Sequence, residues 1–305
     1  MLQTDEVKKI VGVVRGGVEP YYKNSLQEGS NIISSISKNL SNKYKAVDIL
    51  IDKDGIWHIN GIPINPEDIT DKVDIIWNTS HPNLSKVFED LSIPLVGVNS
   101  FKFSSAESKN MLEKHMKEIK VKMPRHLVLP LYQEDIDGSK EKYAVRKAKD
   151  VFEKFSSPWL VKSLSADISM GVHVANIFPE LVNAIEDGIE HGHGIIVEEL
   201  IIGKLGSVHS LAGFREKNIY SFPPRDFSFE EKEKLLALAR DIYKHTGAES
   251  YLKIDFILTP NRGIFLKDIC YSPGLNEDSS FCQSCESVGA KPHHAVEHIL
   301  ESGLL

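Results

Sequence analysis

Residues 251–280 read YLKIDFILTPNRGIFLKDICYSPGLNEDSS. The alternation of apolar and polar residues from Leu252 to Leu258 predicts a strand. Pro260-Asn261-Arg262-Gly263 is a turn signal, and Ile264 to Ile269 predicts a returning antiparallel strand. Such a hairpin brings Asp255 close to Asp268, just ahead of an irregular Ser272-Pro273-Gly274 segment. Paired carboxylates suit a hard cation such as Mg²⁺, which usually shares its coordination with phosphate. The plainer alternative is a hairpin with two solvated acids.

Outward from this stretch, two more segments carry charge where burial is expected. Pro158 to Ser163 (PWLVKS) predicts a strand whose apolar run ends on Lys162. An ammonium is costly to bury without a partner, so the position suggests an anionic ligand. Gly194 to Ile201 (GIIVEELI) predicts a strand ending on the acids Glu198 and Glu199. Near the N-terminus, Lys9 to Val14 predicts a strand running into Arg15-Gly16-Gly17, an arrangement that brings backbone close to ligands in doubly wound domains. Asn24 to Leu40 has helical spacing, with Leu26, Ile32, Ile33, Ile36 and Leu40 apolar. Strands are expected over residues 46–51, 73–77 and 94–98, with a small hairpin over 55–64. This alternation predicts a Rossmann-like domain over residues 1–98. Helices are expected to Ile119 from the polar turn at Asn99, and over 143–155, 178–191 and 229–245, with a further strand over 207–214.

The bulk properties narrow the function classes. The chain has 305 residues, a formal net charge of −7 and a sequence pI near 6.0. Nucleic-acid binders normally show a basic patch or domain, and none is evident here. No apolar run approaches the length of a membrane span, so neither nucleic acid nor membrane is an expected partner. The first residues are acidic and lack a signal-peptide layout. Three cysteines do not make a disulfide framework, so the expected location is cytoplasmic. Cys282-x-x-Cys285 lies near His293, His294 and His298. That cluster reads either as a zinc set or as small buried residues.

The pattern Ile254-Asp255-Phe256, a gap, then Leu266-Lys267-Asp268 and Ser272-Pro273-Gly274 resembles the C-terminal core of D-alanine–D-alanine ligases, carboxylate–amine ligases of the ATP-grasp superfamily. Further motifs fall in register. Gly16-Gly17 with Ser25-Leu26-x-x-Gly29 is similar to the family's first loop. Val121-Lys122-Met123-Pro124 matches its central turn, and Ser169, Gly171 and Val172 match part of its glycine-rich loop. Ile195 to Ile201 matches the strand that holds adenine. The resemblance implies an α/β ATP-grasp fold with an N-terminal Rossmann-like domain and two α+β lobes clasping ATP, over residues 1–98, 99–193 and 194–305. It implies ATP and Mg²⁺ (or Mn²⁺) as cofactors, amino acids as small-molecule substrates, and an acyl-phosphate route to an amide. It also implies a second copy of the chain as partner, since the family commonly forms homodimers. It implies nucleotide binding by Lys109, Lys162, Ser169, Glu198, Glu199, Leu200 and Ile201, metal ligation by Asp255, Asp268 and Cys270, and catalytic roles for Lys253 and Ser279.

The chain departs from the family at defined places. Cys270 stands for asparagine, Lys253 for arginine and Leu205 for a ribose-binding glutamate. Tyr21 stands for the glutamate that holds the first substrate's amino group. The family's long loop, whose lysine approaches the γ-phosphate, has no counterpart in Arg215 to Phe227, where Arg225 or Lys217 are the substitutes on offer. Three readings follow: a D-alanine–D-alanine ligase-like enzyme, an ATP-grasp ligase for another amino acid or peptide, and a nucleotide-binding homologue with little or no ligase activity.

Overall fold

Lys9–Gly16 forms strand β1, whose Val11, Val13 and Val14 are fully buried. Consecutive valines inside on both faces are what a central parallel strand requires. The computed structural model describes residues 7–17, 22–96, 108–164, 170–192, 194–276 and 278–304. Helix α1 (Tyr22–Asn39) buries Ile32 and Ile36, and strand β2 (Tyr44–Ile51) returns parallel to β1. A hairpin of β3 (Trp57–Ile59) and β4 (Ile62–Ile64) extends the sheet on one side. On the other side, β5 (Ile75–Asn78), helix α2 (Ser85–Asp90) and β6 (Leu95–Val96) complete the order β4-β3-β2-β1-β5-β6. The central strands of this sheet pair parallel, as the alternating pattern predicts.

The chain divides into two compact units. The first comprises Met1–Val121, Leu205–Phe256 and Asp268–Leu305. Besides the N-terminal sheet it holds helix α3 (Lys109–Glu118). The second comprises Lys122–Lys204 and Ile257–Lys267. Its sheet is built from β7 (His126–Leu129), β8 (Trp159–Ser163), β9 (Val172–Ala175) and β10 (Ile195–Glu199), in the order β7-β10-β8-β9. Every pairing in it is antiparallel. Helices α4 (Lys140–Lys154) and α5 (Phe178–Glu190) seal this sheet with Ala144, Ala148, Val151, Leu181 and Ile185.

A third sheet has the order β12-β11-β13-β14, from β11 (Lys204–Ala212), β12 (Ile219–Phe222), β13 (Tyr251–Thr259) and β14 (Gly263–Cys270). The β13–β14 hairpin forms where the alternation places it, with Gly263 at φ +85° closing the turn. Helix α6 (Phe229–Thr246) starts on a capping box of Ser228 and Glu231 and stops at Gly247 in the left-handed region. Helices α7 (Ser280–Ser287) and α8 (Pro292–Gly303) then bury Phe281, Cys282, Cys285, Val296 and Ile299 in one core with Val11, Ile32 and Trp77. The N-terminal sheet and the C-terminal helices thus share a core although they lie at opposite ends of the sequence. Two strands escape the sequence reading. β12 lies inside the segment Arg215 to Phe227, and β9 follows directly after the glycine-rich loop.

Candidate functional site

In the first unit several of the expected site residues gather on neighbouring strands. Tyr251, Lys253 and Asp255 alternate with Leu252 and Ile254 along β13, so the first three share one face. Lys253 Nζ lies 2.9 Å from Asp255 Oδ2, and the Ser207 hydroxyl on β11 donates to Asp255 Oδ1. On β14, Asp268 takes the Lys109 ammonium at 3.4 Å, and its own neighbour Ile269 donates an amide N–H to the same oxygen. Lys109 is the first residue of α3, and only about a tenth of its side chain is exposed. Asp255 and Asp268 therefore stand on adjacent strands, each answered by a lysine. Cys270 is exposed, and its thiol donates to the Ser272 carbonyl at 3.3 Å.

Further along the same face lies a buried polar chain that the sequence reading missed. His209 on β11 is 1% exposed, with Nδ1 at 2.7 Å from the Tyr251 hydroxyl and Nε2 at 3.1 Å from Ser280 Oγ. Burial, reinforced by the positive charge of Lys253, pushes its pKa down to about 3, so the ring is neutral. Ser279 is the N-cap of α7, its hydroxyl accepting from the Cys282 amide at 3.2 Å. Arg225 holds the same helix through the Gln283 carbonyl at 3.0 Å, one turn from Ser279. Lone polar residues such as His209 and Tyr251 carry no spacing signal, because their partners come from three separate elements.

Cys282 and Cys285 point into the shared core, and burial raises the Cys285 thiol to about 12. His298 Nε2 bonds the Ala212 carbonyl, while His293 and His294 stack edge to face. The two cysteines are core residues.

In the second unit, Lys162 Nζ lies 2.8 Å from the carboxylate of Glu198, which is nearly buried. Glu198 pairs with Leu160 across β10 and β8, and Lys162 pairs with Ile196. Glu199 is clamped between Arg125 Nε at 2.9 Å and Arg262 Nη1 at 2.7 Å. Burial works against its charge, but the two guanidinium groups outweigh it and hold its pKa below the ordinary glutamate value. The amides of Glu199 and Leu200 are taken by the carbonyls of Arg125 and Pro158. Ile201 packs against Ile257 and Phe265. The expected positions of Ser169 and Tyr21 lie outside the described residues.

The donors on β13 and β14 can be tested against the expected cation. Two carboxylates supply hard oxygens and leave further coordination to water and phosphate, which suits Mg²⁺. The Cys270 sulfur is soft and suits it poorly. Asp255 and Asp268 are each paired with an ammonium group, which a cation must displace in order to bind.

Residues 212–301 match the family model for the D-ala D-ala ligase C-terminus. The D-alanine–D-alanine ligase of Oceanobacillus iheyensis is 23% identical over 97% of this chain and 95% of its own length. That alignment spans 361 positions against 305 residues here, so the relative carries segments that this chain lacks. The D-alanine–D-alanine ligase of Tropheryma whipplei is 28% identical over 70% of this chain and 65% of its own. Among solved structures, VanG D-Ala:D-Ser ligase from Enterococcus faecalis superposes with a TM-score of 0.78 at 18% identity, covering 97% of this chain and all of the other. The D-alanine–D-alanine ligase from Bacillus anthracis complexed with ATP gives 0.73 at 20% identity, covering 97% of each. A matched C-terminal segment, relatives aligned along nearly the whole length and a shared architecture agree: the chain is similar to D-alanine–D-alanine ligases from end to end and has their ATP-grasp fold.

Proposed function

We propose that the protein is an ATP-dependent carboxylate–amine ligase of the D-alanine–D-alanine type, acting on small amino acids. The observation that carries this reading is the pairing of Lys253 with Asp255 and of Lys109 with Asp268 on adjacent strands. ATP supplies the phosphoryl group that activates a carboxylate for attack by an amine. Asp255 and Asp268 are assigned to the accompanying Mg²⁺, which neutralises charge on the phosphates. Lys109 is assigned to a phosphate and Lys253 to the oxygen that gains charge as the amide bond forms.

The lysine–carboxylate pairs bear on how this face works. Lys253 and Asp255 are each about a quarter exposed. A fully exposed pair is worth only ~0.2–1 kcal/mol, and this partly exposed one can be displaced by a phosphate or a cation. Cation binding to Asp255 frees the Lys253 ammonium for the substrate. In the second unit Lys162 is assigned to the nucleotide phosphates, and Glu198, Leu200 and Ile201 to the adenine. Glu199 then serves as the anchor that keeps the end of β10 rigid rather than as a ligand. Ser279 is assigned to the substrate carboxylate, since an N-cap hydroxyl at a helix start keeps its proton free to donate.

A second reading is a nucleotide-binding homologue without turnover. It is favoured by the short connection between β12 and α6, where the longer relatives have room for a loop. Phosphate release from ATP in the presence of D-amino-acid pairs, followed together with dipeptide formation, tests both readings.

A further inference from the structure

His115 and Glu118 stand three residues apart on α3 and so share one face. His245 lies in the last turn of α6, just before the Gly247 cap. One donor atom from each of the three residues falls within 4.8 Å of the others. The imidazoles of His115 and His245 meet edge to face at 5.9 Å. His245 Nε2 is 3.6 Å from Glu118 Oε2, too far for a hydrogen bond. It is nevertheless buried and has no hydrogen-bond partner among the described residues. An orphaned buried nitrogen is costly, and here it faces a carboxylate at a separation with a simple interpretation. Two donors about 2.1 Å from one tetrahedral ion stand about 3.4 Å apart.

We infer that His115, Glu118 and His245 form a binding site for a borderline divalent cation of the Zn²⁺ class, its fourth position open to water. Two imidazoles and one carboxylate suit such an ion and do not suit Mg²⁺, which prefers oxygen throughout. The site is distinct from the carboxylates on β13 and β14 and does not depend on the ligase reading. Occupancy ties the end of α3 to the end of α6. Because α3 begins at Lys109, the ion fixes the helix that presents that ammonium to Asp268.

The test uses the untagged full-length protein stripped with EDTA. Zn²⁺ affinity is measured by competition with a chromophoric chelator, and Co²⁺ is used separately as a spectroscopic probe. The expected result is one Zn²⁺ per chain, with His245→Ala and Glu118→Gln each weakening binding at least about tenfold. Glu118 is 57% exposed, so Glu118→Gln leaves the fold intact and decides the matter if His245→Ala does not fold. The Co²⁺ complex should show d–d absorption without a thiolate charge-transfer band. Absence of stoichiometric Zn²⁺ binding would overturn the inference. So would affinity unchanged by Glu118→Gln, or a thiolate band, which would move the ion to a cysteine.

Discussion

Lys162 and Glu198 illustrate how one contact serves two purposes. The carboxylate is nearly buried and the ammonium is its counter-charge. Lys162→Met alone takes an ammonium counter-charge away from a nearly buried acid, which is destabilising. The informative variant is therefore Lys162→Met with Glu198→Gln, which removes both charges. It should keep the fold and lower ATP affinity at least tenfold, about 1.4 kcal/mol, by calorimetry; unchanged affinity would remove Lys162 from the nucleotide site. Asp255→Asn should abolish the Mg²⁺ dependence of nucleotide binding, and persistence of that dependence would make the β13–β14 acids structural. That Lys162 needs a counter-charge was legible because it ends an apolar strand; that Glu198 supplies one was not. The Glu199 clamp was not, because Arg125 and Arg262 lie 74 and 63 residues away in sequence, beyond any local pattern.

The strands and helices that hold the site follow local chemistry where that chemistry is strong. The β13–β14 hairpin was legible from its alternation and its Pro-Asn-Arg-Gly turn, and α6 from its regular apolar spacing. β12 was not, because four residues between proline-rich and charged segments gain their stability from pairing with β11. The partner strand, rather than the local propensity, decides such a segment. The same sheet carries a pH dependence. His209 is neutral when folded, with a pKa near 3, and ordinary, about 6.5, when unfolded. The unfolded chain therefore binds a proton that the native chain does not. Stability from this group is complete above pH 6.5 and falls as pH drops from 6.5 toward 3, by at most about 1.4 kcal/mol per unit. Chemical denaturation across that range should show this slope, and His209→Gln should flatten it. A slope unchanged in the variant would place the acid sensitivity elsewhere. Glu199 acts in the opposite part of the range: its lowered pKa stabilises above about pH 4.5 and is lost only as pH falls through the lower folded value.

Across the molecule, the order of strands and helices was readable because each half of the sequence alternates in its own regular way. The shared core of Val11, Trp77, Phe281 and Ile299 was not, since nothing local links the two ends of the chain. An intact fold does not by itself establish turnover, and on the resemblance the short connection before α6 is expected to lack a positive charge that the family's loop supplies. One such electrostatic contact is typically worth a factor of about 10²–10³ in rate. Arg225, held against α7 one turn from Ser279, is the basic group best placed to compensate. Arg225→Gln should lower the rate further while leaving ATP affinity unchanged, and an unaltered rate would remove it from the reaction. The decisive measurement is phosphate release from ATP and Mg²⁺ by the purified protein against a panel of D-amino-acid pairs, with the peptide product followed by mass spectrometry. The account predicts equimolar phosphate and dipeptide, at a rate at least about a hundredfold below that of a ligase carrying the full loop. Tight ATP binding with neither phosphate nor dipeptide formed from any pair would contradict it.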